Sequence, residues 1–224
     1  MGVQLPRWVW VGAGALACVA GMVNAVGFLG FEHQAITHLT GTTTLLGASI
    51  AAMDLRASLD LAGVALAFVL GAALSGMIIQ DAMLRLGRRY GVALALESVL
   101  LFASAVMFRR HETTGAILAA MACGLQNAMA TTYSGAVVRT THLSGMFTDV
   151  GIGLGHALRG MPLQKRRLML CGLIIASFLL GGLLGAVLFA RMSTDALLVP
   201  ATLTGVVGVG YALYRHRLGM GTQS

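Results

Sequence analysis

Two short runs carry most of the polar chemistry in this chain. Thr37-His38-Leu39-Thr40-Gly41 and Thr141-His142-Leu143-Ser144-Gly145 present one order of residue types, and their histidines stand 104 positions apart. Thr44 and Thr148 follow in the same register. Imidazole and hydroxyl groups are costly in apolar sequence unless they find partners or face a polar cavity. Each run reads as a helix start: Thr40 or Ser144 can accept from an orphan backbone N–H, and the glycine lets the chain turn. The plain reading is a capped helix with an interfacial histidine. The functional reading is two helix N-termini aiming positive dipole ends at one place, which suits an anionic or polar solute. That reading expects His38, Thr40, Thr44, His142, Ser144 and Thr148 to bind the solute, with Asn24 and Asn127 beside them.

Two carboxylates lie inside apolar segments. Asp149 follows His142 by seven residues, two helical turns on the same face, where the first run has Leu45. An ionised carboxylate against lipid is costly and is usually paired, protonated or turned to water, so Asp149 is a candidate proton-coupling acid. Its bland alternative is a carboxylate satisfied by Thr or Asn neighbours. Glu97 is the second candidate; it either lies within the bilayer or reaches an interfacial ion pair with Arg85, Arg88 or Arg89. Asn24, Gln126 and Asn127 have a competing role as amides that hold helices together.

No nucleophile triad, zinc signature, phosphate loop or nucleotide fingerprint appears. Two histidines without further ligands do not make a metal site. The expectation is a non-enzyme without cofactor or metal. Cys18, Cys123 and Cys171 have no CxxC spacing and read as small packing residues.

The elements that must position these groups are apolar. Of 224 residues, 57% are hydrophobic and 10% charged, with 30 glycines and a mean hydropathy of +0.84; a soluble surface needs about 25% charged residues. The chain is therefore read as an all-α, polytopic membrane helix bundle in contact with the lipid bilayer. Eight apolar segments are expected near 8–29, 38–53, 61–80, 92–107, 116–132, 142–157, 168–190 and 196–214. Arg7 and the run to Cys18 faintly resemble a lipoprotein signal, but the apolar stretch continues and is read as the first helix. The net charge of +7 is scattered at segment ends without interleaved aromatics, which argues against nucleic acid.

The chain reads as one domain of two repeated halves, 8–110 and 111–217. Gly21 and Asn24 align with Gly124 and Asn127 at a spacing of 103. Gly71 and Ser75 resemble Gly181 and Gly185, a small-xxx-small pattern for close helix packing. The two segments that begin with the histidine runs are short for the roughly 30 Å hydrocarbon core. Eight crossings, the favoured arrangement, put ten of the 15 basic residues on the side of both termini. The alternative is six spans plus two re-entrant half-helices, which puts eleven there and makes the halves inverted repeats. Either way both termini are expected in the cytoplasm.

The motifs HLTGTTT and HLSGMFTDVG, with GLQNA ahead of the second, resemble the YoaK-like family of bacterial inner-membrane proteins, a domain-of-unknown-function family. The resemblance implies a multi-span protein of the bacterial inner membrane and carries no binding residue over. The leading functional expectation is a transporter of a small polar or anionic solute, proton-coupled, with its site between the halves. The alternative is a non-transport structural or assembly partner. Homo-oligomer formation is left open.

Overall fold

The computed structural model describes residues 6–31, 37–79, 88–110, 113–134 and 139–220; for Arg88, Tyr133 and residues 215–220 it describes the backbone alone. Among these residues the fold is all-α, without strands. The helices are α1 (Arg7–Gly30), α2 (Leu39–Ala51), α3 (Leu55–Ile79), α4 (Arg88–Phe108), α5 (Thr113–Tyr133), α6 (Leu143–Leu158), α7 (Lys165–Met192) and α8 (Leu198–Met220), with a 3-10 turn (Ser193–Leu197) between the last two. Four stretches among the described residues are long and apolar enough to cross a membrane: Arg7–Gly30, Leu55–Ile79, Arg89–Phe108 and Lys165–Tyr214, the last containing both α7 and α8. Exposed Leu66, Val69, Leu70, Leu179, Leu180 and Leu183 on α3 and α7 suit lipid contact.

Glycine decides which helices meet. A Cβ on Gly21 of α1 would strike the Phe178 carbonyl of α7, and one on Gly181 would strike that of Cys18. In the same manner Gly124 of α5 abuts the Phe68 carbonyl of α3, and Gly71 abuts that of Met121. Backbones touch at both crossings, the close approach that small residues permit in apolar helices. Contacts advance together along each pair, Gly14 with Leu173 and Gly30 with Phe189, Gly63 with Ile117 and Gly71 with Leu125, so α1 runs parallel to α7 and α3 to α5. Gly91 meets Gly208 and Ala212 while Gly205 meets Ser98, so α4 and α8 are antiparallel. The Ser98 hydroxyl donates to the Ala201 carbonyl across that pair at 2.7 Å.

α5 carries Gln126 and Asn127 and packs against α1, α3 and α4, which encloses its polar groups. α2 has 13 residues and α6 has 16, rises of about 20 and 24 Å. Each folds back onto the next long helix, α2 on α3 and α6 on α7. Both end in a Schellman turn: Met53 (φ 56°) and Gly160 (φ 67°) take the left-handed conformation, and the next N–H reaches back to Ser49 and His156 respectively. At the far end of α4, Arg109 Nε donates to Asp195 of the 3-10 turn at 2.6 Å. The carboxylate raises the already high guanidinium pKa.

Candidate solute cleft

The two glycine crossings place Asn24 and Asn127 one turn beyond Gly21 and Gly124, on the inner faces of α1 and α5. The first turns of α2 and α6 arrive beside them. Together these elements line a cleft of about 700 Å³ whose wall includes Asn24, His38, Thr40, Asn127, His142 and Ser144. Phe68 of α3 and Phe178 of α7 contribute apolar surface. Each is the fourteenth residue of its helix, so the starts of α2 and α6 lie level with the middle of α3 and α7.

The two sides of the cleft have matching residues in different states. On the first side, the Thr37 N–H and hydroxyl both donate to Asn24 Oδ1, at 3.2 and 2.7 Å. His38 caps α2: its Nδ1 accepts from the Gly41 N–H at 3.1 Å. That bond assigns the ring proton of a neutral imidazole to Nε2. On the second side, His142 makes no capping bond, although its ring lies over Gly145 much as that of His38 lies over Gly41. The first N–H groups of α6 therefore lack a side-chain cap. Asn127 Oδ1 is buried with no hydrogen-bond partner among the described residues.

The charge of the cleft is one-sided. Arg139, three residues before His142, lines it together with the two imidazoles, and no carboxylate stands among the described wall residues. Two helix N-termini add partial positive charge. The arrangement can hold an anionic group, while the hydroxyls of Thr131, Thr132 and Thr141 and the amides supply polar contacts. Arg139 is not among the residues that the sequence singled out for the site. The signal was available, since the first run has Ala35 at the corresponding position.

The remaining candidates lie elsewhere. Thr44 and Thr148 are exposed outside the cleft wall and return their hydroxyls to the carbonyls of Thr40 and Ser144, at 3.0 and 2.9 Å. Asp149 also lies outside it. Arg167 holds its carboxylate bidentately, Nη2 to Oδ1 at 2.8 Å and Nε to Oδ2 at 3.1 Å. The Asp149 side chain is 24% exposed and that of Arg167 57%, so solvent weakens the pair. Replacing Arg167 with Gln should lower stability by at most about 1 kcal/mol, read as a shift in the thermal unfolding midpoint in detergent. Glu97 is 2% exposed, inside the bundle and not at its rim. Gln126 Nε2 donates to its Oε1 at 2.9 Å, while Oε2 has no partner among the described residues. Of the arginines considered for it, Arg89 is exposed, and Arg85 and the Arg88 side chain lie outside the described residues.

Long apolar helices around a polar cleft define a membrane-type helical protein. The chain belongs to the family described as "Protein of unknown function (DUF1275)", whose profile matches residues 12–210, consistent with the YoaK-like resemblance. No curated protein and no solved structure matches it.

Proposed function

We propose that the protein is a transporter of a small anionic solute in the bacterial inner membrane. The observation that carries this reading is the cleft, which joins Arg139, both histidines and two helix starts without a carboxylate among its described wall residues. The proposed architecture is six crossing helices and two half-helices, α2 and α6, whose N-termini meet the solute near the midplane. Supporting it are the short rises of α2 and α6, their folding back on α3 and α7, and the antiparallel crossing of α4 with α8, which eight alternating crossings would make parallel. Inverted repeats joined at a midplane site are a recurrent transporter plan. Eleven of 15 basic residues then share the side of both termini, the cytoplasmic side.

Coupling is assigned to Glu97, because Asp149 is engaged by Arg167 away from the cleft. The competing assembly-partner reading fits the closed Asp149 pair but gives no role to a cleft of about 700 Å³. The test is uptake of a panel of small labelled anions and matched neutral solutes into proteoliposomes. Saturable uptake of an anion above empty vesicles is expected. Equal behaviour of protein-containing and empty vesicles across the panel would contradict the reading.

A further inference from the structure

Resting on the cleft as a solute site, a second feature concerns how one side of it is switched. With the two runs aligned on their histidines, Thr141 corresponds to Thr37 and Thr140 stands one residue before it, while Asn127 corresponds to Asn24 at a spacing of 103. On the first side Thr37 is bonded to Asn24. On the second, the Thr140 hydroxyl turns instead to Gln126 Oε1 at 3.4 Å, long for a hydroxyl donor. Gln126 in turn donates to Glu97. Among the described residues Glu97 Oε2, at one end of this buried chain, has no partner, and neither has Oδ1 of Asn127, the residue after Gln126.

From this arrangement we infer that Thr140 is a two-position switch, set by Glu97 through Gln126, that moves the α6 start between its present state and the state α2 already shows. In the arrangement seen, donors point from Thr140 through Gln126 toward the carboxyl group. When Glu97 takes a solvent proton on Oε2, that oxygen becomes a donor. The carboxyl group and the Gln126 amide both turn over, so that the new Oε2–H faces Gln126 and donates to its Oε1, and Nε2 donates to Thr140. The Thr140 hydroxyl then passes to Asn127 Oδ1, the bond that Thr37 makes to Asn24. Every donor keeps an acceptor and the vacant amide oxygen is filled. Because Thr140 adjoins Arg139 and Thr141, the change repositions the side of the cleft that binds the anion. Thr140 and Gln126 are positioning residues, and Glu97 is the titrating one.

Other charges around Glu97 do not replace it. On α5 the buried thiol of Cys123 stands one turn before Gln126. From the 3-10 turn, Asp195 is held by Arg109 at the helix end. On α3 the charged Arg56 and Asp60 lie in the first two turns, and α8 has no titratable residue from 198 to 210. His142 itself borders the switched segment and must be separated by experiment.

Hydrogen-exchange mass spectrometry of the full chain in lipid nanodiscs tests the switch. After correction for intrinsic rates, protection of residues 143–146 should change at least about fivefold between about pH 5 and pH 9. Residues 39–42 should not change. Glu97→Gln, which keeps the shape, should abolish the response, as should Thr140→Val, while Thr140→Ser should retain it. A response that survives in E97Q belongs to His142 and overturns the proposal, as does a flat wild-type profile. An intact response without anion uptake would sink the transport reading alone, and uptake with no Glu97-dependent response would sink the switch alone.

Discussion

Arg139→Gln is expected to weaken anion binding to the purified protein by about ten- to hundredfold, the effect of losing a charged hydrogen-bond donor worth about 1.5–3 kcal/mol. The expectation follows from the charge inventory of the cleft. Arg139 is its guanidinium, two imidazoles and two helix starts supply the rest, and no carboxylate among the described wall residues opposes them. Removing it leaves a polar cleft that still admits the solute but holds it weakly. Arg139→Lys should recover part of the affinity, because a lysine keeps the charge and loses the two-pronged geometry. Calorimetric titration with the anion identified by uptake provides the measurement. Equal affinity in wild type and R139Q would remove Arg139 from the site.

The second large effect concerns assembly. Gly181→Ala on α7 places a methyl group against the Cys18 backbone carbonyl, and Gly71→Ala does the same at the Met121 carbonyl. A backbone oxygen cannot rotate aside as a side chain can, so the helices must separate. Each substitution is expected to cost about 1–3 kcal/mol. Gly172→Ala on the same helix as Gly181 is the matched comparison, because nothing lies within 4 Å of its added carbon. G172A should leave the thermal midpoint unchanged or slightly raised. Thermal unfolding followed by size-exclusion chromatography reads the difference; equal midpoints for G181A and G172A would contradict the crossing.

Much of this packing was legible in the sequence. Apolar runs too long for a soluble core marked the helices, and glycines at matched spacings marked the crossings before any contact was known. Helix type follows from local composition, so an all-α chain with long apolar helices could be read directly. What sequence did not decide was depth. Segments of 13 to 16 residues are ambiguous between short crossings and half-helices until their direction relative to neighbours is known, because length alone does not say where a helix starts. The favoured eight crossings gave way in the proposal to six for that reason.

The candidate site was partly legible. His38, Thr40, His142, Ser144, Asn24 and Asn127 come together in the cleft, because both histidine runs stand at helix starts that reach it. Thr44 and Thr148 belong to the same pattern but lie one turn further on, where their hydroxyls return to the helix backbone. Asp149 attracted attention by having no counterpart in the first run. Its partner Arg167 is 18 residues away, beyond a turn whose geometry the sequence does not specify. Thr140 was invisible because its significance lies in which of two neighbouring amides it chooses.

Passage of an anion through the cleft and across the bilayer is read most directly by solute counterflow in proteoliposomes, with unlabelled anion inside and labelled anion outside. Transient accumulation of label is expected in wild-type vesicles, with its loss in R139Q at the same solute concentration and its retention in R167Q. Accumulation that is the same in wild type and R139Q, or absent for every anion in the panel, would contradict passage through the cleft.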